Sequence, residues 1–109
     1  MPVIQVSAST TPVPAIVVHP SLIGKILSIE INNNTSSAVT VNLVDTFTPT
    51  PSAVNPSPTQ VNKPVRTITV PANDVITIQQ LQIDVFGQLM VSASVDSTDV
   101  TISISYDIQ

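Results

Sequence analysis

Residues 25 to 45 decide the fold, and they read KILSIEINNNTSSAVTVNLVD. Apolar side chains alternate with polar ones in each half of this stretch; they are Leu27, Ile29 and Ile31, then Val39, Val41 and Leu43. Alternation of this kind lets a β-strand bury one face and expose the other. Between the halves, residues 32 to 37 are polar and turn-forming. The stretch therefore predicts a β-hairpin.

The composition extends the β prediction to the whole chain. At 109 residues it is expected to form one domain. Hydrophobic residues make up 42% and aromatic residues only 3%, so the core must consist mainly of Val, Ile, Leu and Ala, most of which favour strands over helices. The chain has two glycines. Turns that need positive φ must therefore use other residues, and residues 32–34, 73–74 and 96–99 are the candidates.

Charged residues are unusually scarce. They form 9% of the chain, whereas a typical soluble surface carries roughly 25–35%. A surface of Ser, Thr, Asn and Gln costs less to desolvate, which favours a subunit packed against other subunits, although extracellular β proteins share this composition. With few charged side chains, the strand edges also lack the usual protection against pairing with other strands. We therefore expect the chain's own arms or partner chains to cover these edges. A net charge of −4 with three scattered cations argues against nucleic-acid binding.

Prolines mark the N-terminal segment, residues 1–23. Two short β-like runs, Val3–Ser7 and Ala15–His19, lie among prolines 2, 12, 14 and 20. Because proline cannot donate to a β-ladder, this segment is predicted to be an arm or a pair of edge strands. The chain begins without a basic region and a long apolar run, and nothing in it resembles a membrane-spanning helix. We therefore expect synthesis without a classical signal peptide and no membrane association. A mature exported chain re-started at Met would look the same, so export stays open as an alternative.

A second proline-rich segment covers residues 46–64, with prolines at 49, 51, 56, 58 and 64. Each proline limits its own φ and favours an extended conformation in the residue before it. The segment is predicted to be a long loop. Three roles remain open: a solvated surface loop, an arm along a neighbouring subunit, or a ligand for an aromatic-lined groove, although a strict PxxP core with a flanking Arg is lacking.

Four further strands are predicted after this loop, namely Arg66–Val70, Val75–Gln82, Leu89–Val95 and Val100–Ile108. Residues 81–87 break the alternation and indicate a bulge or a corner. Six strong and two weaker strands without a helix predict an all-β fold of about eight strands, an antiparallel sandwich of jelly-roll or immunoglobulin-like type. The expected organisation is an N-terminal arm or edge strands at 1–23 and a β-sandwich domain at 24–109 that carries the 46–64 loop.

Residues that could perform chemistry are isolated. His19 is the single histidine, and no spacing pairs it with a nucleophile. Asp96 and Asp99 could offer two oxygens to Ca²⁺, but such a site needs six to eight, so a turn-capping role is favoured. The two glycines are too far apart for a phosphate loop, and the absence of cysteine excludes a disulfide or thiolate site. We predict a non-enzymatic protein without a cofactor or metal.

Two overlapping tripeptides, Asn33-Asn34-Thr35 and Asn34-Thr35-Ser36, match the N-glycosylation pattern at the predicted hairpin turn. The pattern is short and frequent by chance. We treat glycosylation as a minor alternative to a turn role.

Two runs carry a family resemblance. Residues 24–45, GKILSIEINNNTSSAVTVNLVD, and residues 68–78, ITVPANDVITI, resemble small β-sandwich structural proteins of tailed-phage virions, particularly capsid decoration (cement) proteins. The resemblance implies a virion protein made in the host cytoplasm and placed on the capsid surface. It further implies an oligomer, commonly a trimer, that bridges neighbouring subunits of the major capsid protein.

The leading functional hypothesis is therefore a capsid-decorating structural protein that binds through its two proline-marked segments. The expected contact residues are Val3, Ile4, Val13, Phe47, Val54 and Val61. The alternatives are a cell-surface β module that binds carbohydrate, and a subunit of a filament or sheath. A carbohydrate site generally needs a stacking aromatic, and the chain offers Phe47, Phe86 and Tyr106.

Overall fold

The computed structural model describes residues 3–19, 22–49, 51–54 and 56–108, and within them it contains nine strands and no helix. The strands are β1 (Val3–Ala8), β2 (Val13–Val17), β3 (Gly24–Asn33), β4 (Val39–Phe47), β5 (Val61–Val70), β6 (Asp74–Ile78), β7 (Ile83–Val85), β8 (Gln88–Ala93) and β9 (Ser97–Ile108). They form two packed antiparallel sheets. The predicted all-β sandwich is confirmed.

The strand pairing identifies the type of sandwich. Sheet A has the order β1-β9-β3-β6, with β7 also beside β3, and sheet B has the order β2-β8-β4-β5. Four antiparallel pairs nest within one another along the chain, since β1 pairs with β9, β2 with β8, β3 with β6 and β4 with β5. The β3–β9 pair joins two of these pairs into sheet A, and the β4–β8 pair joins the other two into sheet B. This connectivity is a jelly roll, not an immunoglobulin-like fold.

The strands β6 and β7 are two halves of one interrupted edge strand. Both run antiparallel to β3, β6 along residues 29–33 and β7 along residues 24–26. The interruption lies beside a β-bulge at Leu27, whose carbonyl accepts the Leu81 N–H at 2.9 Å. The bulge shifts the buried positions of β3, so Ile26 is buried and Leu27 only half-buried. The strict alternation predicted from Leu27 onward is therefore wrong at its first position.

The core is aliphatic, as the composition predicts. In sheet A, Ile4, Ile104, Ile29 and Ile78 form one row across β1, β9, β3 and β6. The next row has the same pattern, with Val6, Ile102, Ile31 and Ile76. Among the described residues, every buried hydrophobic side chain is Val, Ile, Leu or Ala. β-Branched side chains pack well on a pleated surface, so two sheets of them form a dense interior without aromatic residues.

The predicted hairpin of residues 25–45 is wrong. The strands β3 and β4 do exist, but β3 lies in sheet A and β4 in sheet B, so they face each other across the core. Residues 34–38 cross from one sheet to the other. Both strands bury their apolar faces in the space between the sheets, and this burial is compatible with either arrangement, which is why alternation alone does not predict the partner.

The proline-rich loop is shorter than predicted. β4 continues to Phe47 and β5 begins at Val61, so the connection spans residues 48–60. Pro64 lies inside β5, which is an edge strand of sheet B, next to an irregularity in the pairing with β4. An edge strand tolerates proline because one side of its ladder is unpaired. The β-structure therefore extends five residues before the predicted start at Arg66.

The N-terminal segment is built into the sandwich. β1 is an edge of sheet A and β2 an edge of sheet B, which agrees with the edge-strand interpretation and not with a free arm. Positive φ occurs at Asn73 (55°), one of the predicted positions, and at Gln80 (58°), which the sequence did not indicate. Neither glycine has positive φ.

Candidate functional site

The two ends of the jelly roll differ in chemistry. One end carries the connections 9–12, 34–38, 71–73 and 94–96, and we call it the polar end. The opposite end carries residues 86–87 and the described parts of two longer connections, residues 18–19 and 22–23 of the first and 48–49, 51–54 and 56–60 of the second; we call it the cleft end. Antiparallel pairing places the connections alternately at these two ends. The polar end is held together by hydrogen bonds, whereas the cleft end exposes apolar side chains.

Asn33 ties the polar end together. Its side chain is buried, and its Nδ2 donates to the carbonyl oxygens of Ser37, Val70 and Pro71 at 2.9, 3.2 and 3.1 Å. Its Oδ1 accepts the backbone N–H of Thr35 at 3.0 Å and the Thr35 hydroxyl at 2.6 Å. One amide thus links the β3–β4 crossing to the β5–β6 turn.

Asp96 links two further connections of the polar end, 94–96 and 9–12, by hydrogen bonds to Thr10. Its Oδ1 accepts the Thr10 backbone N–H at 2.7 Å, and the Thr10 hydroxyl lies 3.1 Å from Oδ2. These hydrogen bonds, first the backbone one and then the side-chain one, lower the pKa of the exposed Asp96 carboxyl. The polar end is therefore closed by satisfied hydrogen bonds.

The cleft end contains an open hollow of about 740 Å³. Its apolar walls come from three connections and the strand ends beside them, and they consist of Val17, Val18, Leu22, Ile23, Phe47 and Phe86. Of these, Val17 is 62% exposed, Leu22 40%, Ile23 45% and Phe86 41%. Thr46, Thr48, Gln60 and Gln88 add polar groups. Exposed apolar side chains that cluster around a concave surface are typical of a binding site.

The buried carboxylate of Asp45 positions one wall of the cleft. It accepts the backbone N–H of Phe86 at 2.9 Å and that of Gly87 at 3.1 Å. The Gly87 carbonyl in turn accepts the Val18 N–H at 2.9 Å. These bonds join β4, the β7–β8 turn and the end of β2, so the Phe86 ring is presented from a fixed backbone.

An aromatic pair with a nearby cation lies at the rim. The ring centroids of Phe47 and Phe86 are 5.7 Å apart with an interplanar angle of 60°, and the Lys63 Nζ lies 5.8 Å from the Phe86 centroid. Tilted rings at this distance attract each other, as do a cation and a ring face. The ammonium group therefore lies close to Phe86, and the two rings do not form a parallel platform.

A second hollow of about 470 Å³ adjoins the cleft on the outer side of sheet B. The two share Thr46, Gln60 and Gln88, and the second adds Pro12, Val44, Asn62, Met90 and Ser92. Beyond it the outer surface of β4 and β5 is a ladder of short polar pairs, Thr40 with Thr69 at 3.2 Å and Asn42 with Thr67 at 3.0 Å. These two pairs are neutral and occupy successive outward positions of the β4–β5 ladder.

The six predicted contact residues do not form one site. Phe47 and Val61 are cross-strand partners at the base of the 48–60 connection, and Val54 on that connection is 96% exposed. Val13 lies in β2 opposite Val91, away from the cleft, and is only half-buried. Val3 and Ile4 belong to β1 in the other sheet, with Val3 exposed and Ile4 packed on the core.

Of the apolar cleft residues, only Phe47 was among the predicted contact residues. Val17, Val18, Leu22 and Ile23 were missed, and Phe86 was named only as a possible stacking aromatic for a carbohydrate. A signal for two of them was present, since Leu22 and Ile23 are adjacent apolar residues in a connection between Pro20 and Gly24. Adjacent apolar residues between strands can contribute to an exposed apolar patch, and such patches often mark interaction sites. The break in alternation at Phe86 was noticed but attributed only to local geometry.

The other residues considered for chemistry, His19, Asp96 and Asp99, lie in connections or near strand ends, where they take part in local hydrogen bonds. The His19 carbonyl accepts the Leu22 N–H at 2.8 Å. Asp96 binds Thr10 rather than capping its own turn, while the Asp99 N–H donates to the Ser97 hydroxyl at 3.1 Å. Within the described ranges, no three acidic, His or Cys residues are grouped as a metal site. Asn33 is buried, so only Asn34 of the two glycosylation patterns is exposed.

Comparison of the chain with models of known families, with curated proteins and with solved structures gives no match. Among the described residues, no helix is long and apolar enough to cross a membrane. Function is therefore inferred from the chain's own residues.

Proposed function

We propose that this protein is a non-enzymatic structural subunit that decorates a phage capsid and bridges neighbouring capsid subunits through its cleft end. The single observation that carries the proposal is the concentration of exposed apolar side chains, Val17, Leu22, Ile23 and Phe86, around one open cleft. Burying such side chains against a partner releases roughly 25 cal/mol for each Å² of apolar area.

The remaining surface supports an assembled subunit. The chain carries only ten charged residues, three basic and seven acidic. Part of the outer surface of β4 and β5 consists of the neutral pairs Thr40–Thr69 and Asn42–Thr67. Neutral polar groups of this kind can be desolvated against a neighbour at lower cost than charges. The jelly roll is a fold that capsid proteins use, although it also occurs in lectins and cupins, so it supports the proposal without deciding it.

The 48–60 connection is the second contact element of the proposal. It leaves the sandwich beside the cleft, since Thr48 and Gln60 line the hollow, and it carries the fully exposed Val54. Prolines at 49, 51, 56 and 58 restrict its unbound conformations. A restricted segment loses less entropy when it docks on a partner.

Co-sedimentation tests the proposal. The gene beside the one for this chain is expected to encode a major capsid protein, and shells assembled from that protein should bind the purified wild type. The double variant Leu22→Ser, Ile23→Ser should bind at least tenfold more weakly. Val75→Ser is the matched control, because Val75 is also exposed but lies on β6 away from the cleft. Absence of a neighbouring capsid gene, or equal binding by both variants, would contradict the proposal.

A carbohydrate-binding module is the second candidate, because the cleft combines two phenylalanines with Thr46, Gln60 and Gln88. Sugars stack on aromatic faces and hydrogen-bond to amides and hydroxyls. Against it, Lys63 lies near the Phe86 ring and the Phe47 ring is tilted by 60° to that of Phe86. Saturable binding on a glycan array that is lost in Phe47→Ala would favour this function over capsid decoration.

A further inference from the structure

The four edges of the two sheets differ in how they are protected against pairing with another strand. The edge strands are β1 and the split strand β6/β7 in sheet A, and β2 and β5 in sheet B. Natural proteins protect edges with charged side chains, prolines, bulges or very short strands. An edge that lacks all of these can accept another strand.

Three of the edges carry such protection. β2 contains Pro14 and a break in its pairing register, and β5 contains Lys63, Pro64 and Arg66. The β6/β7 edge is divided into runs of five and three residues. It also begins with an aspartate at Asp74. Each of these features interrupts or repels an added strand.

β1 is the exception. Its sequence, VIQVSA, has neither a charge nor a proline, and residues Val3 to Ser7 pair with β9 in an unbroken register. The pairing shifts only at Ala8. Within the described residues, no strand lies on its other side. The outward positions Val3, Gln5 and Ser7 are exposed, with Val3 at 62%.

We propose that the free edge of β1 pairs with β1 of a second copy of this chain, antiparallel and centred on Gln5. The inference goes beyond the proposed function and does not depend on what the cleft binds. Gln5 is the midpoint of the regular run from residue 3 to residue 7. A two-fold axis at Gln5 therefore lets all five residues of the run pair with the second copy. Opposite residues would be Gln5 with Gln5, Ile4 with Val6 and Val3 with Ser7.

The side chains fit this symmetric pair. Ile4 and Val6 both pack on the core, so the pairing continues the inner apolar rows from one sandwich into the next. On the outer face, Gln5 meets its own copy, and a carboxamide both donates and accepts hydrogen bonds. β1 contains no charged residue, so the pairing places no like charges opposite each other. A second copy is therefore a better occupant than a charged peptide, and its interface is isologous.

A single strand pair buries less area than the roughly 1,600 Å² of a standard interface, so the dimer is expected to be weak and concentration-dependent. Sedimentation velocity of the full chain, over concentrations that reach a Kd of ~1 mM, should show an average mass that rises with concentration from one chain towards two. Gln5→Lys should shift it to one chain by like-charge repulsion at the axis, and so should Gln5→Glu. An equimolar mixture of the two variants should restore the dimer. Thr77→Lys, an exposed change on the opposite edge of the same sheet, should leave it intact.

Cross-linking tests the register. Because the chain has no native cysteine, any disulfide must come from the introduced residue. Gln5→Cys should form a disulfide-linked dimer on mild oxidation, because directly opposite residues lie within the Cα separation that a disulfide requires. A mixture of Val3→Cys and Ser7→Cys should give a mixed dimer, and Thr77→Cys should give none. A monomer at every concentration, a particle of three chains, or cross-linking of Gln5→Cys no greater than that of Thr77→Cys would overturn the proposal.

Discussion

The carboxylate of Asp45 lies buried in β4 and accepts the backbone N–H of Gly87 at 3.1 Å. The same carboxylate accepts the Phe86 N–H, so two amides of one turn depend on one side chain. The buried Asp45 therefore fixes the position of the β7–β8 turn, and with it the position of Phe86 in the wall of the cleft.

Removal of this carboxylate should loosen the cleft end. Asp45→Ala leaves two partly buried N–H groups without an acceptor, and each such loss costs about 1–3 kcal/mol. We expect a lower free energy of unfolding in urea and faster amide exchange at residues 86 and 87. Asp45→Asn retains one acceptor and should lose less. Equal stability of Asp45→Ala and wild type would show that the turn stands without this bond.

Asn33 should be the most sensitive polar residue of the opposite end. Asn33→Ala removes the donor to three carbonyls and the acceptor for Thr35, and we expect a loss of at least about 2 kcal/mol. Asn34→Ala is the matched control, since that neighbour is exposed and its backbone N–H to Asp99 is retained by the substitution. Urea titrations of both variants give the comparison. Losses of similar size would mean that the amide network contributes little.

Asp96 should make the stability depend on acid pH. Because its pKa is lowered in the folded protein, its contribution is present above the unfolded pKa of about 4 and is lost as the pH falls through the folded value. The difference in Tm between wild type and Asp96→Asn should therefore shrink as the pH is lowered from 6 towards 2. Thr10→Ala keeps the backbone donor and should show an intermediate effect. A Tm difference independent of pH would contradict this role.

Gly87 should tolerate no side chain, for steric reasons. A Cβ there would overlap the Thr46 carbonyl oxygen and lie 2.8 Å from the Phe47 Cβ, although φ is not positive. Overpacking of this kind costs about 1–3 kcal/mol, so Gly87→Ala should lower the Tm. Gly24→Ala is the comparison, since the one close neighbour of its Cβ would be a side-chain atom, the Val18 Cγ2 at 2.8 Å, and not a backbone carbonyl. A larger loss in Gly24→Ala would contradict this account.

Much of the fold could be predicted from local pattern. The strands from Val39, Leu89 and Val100 alternate so clearly that burial and strand type follow from the two-residue period. The bulge at Leu27 and the strand residues 61–65 could not be predicted. The first depends on the interruption between β6 and β7 beside it, and the second on β5 being an edge that accepts Pro64.

The cleft could be predicted only in part. Phe47 and Val61 were expected contact residues, and the structure pairs them across β4 and β5. Phe86 and Val17 reach the cleft because Asp45 and the Gly87 carbonyl hold the ends of distant segments together. Contacts of this kind join residues more than forty positions apart, and no local period encodes them.

By itself, the sequence determined that this chain is an all-β domain with an aliphatic core, a scarcely charged surface and two proline-marked segments. Those properties follow from side-chain volume, polarity and backbone restriction, which act over a few residues. Only the tertiary structure decided that β3 and β4 face each other from opposite sheets and that the apolar connections gather at one end. The reason is physical: alternation dictates which face of a strand is buried but not which strand it pairs with, and that choice depends on all nine strands sharing one core.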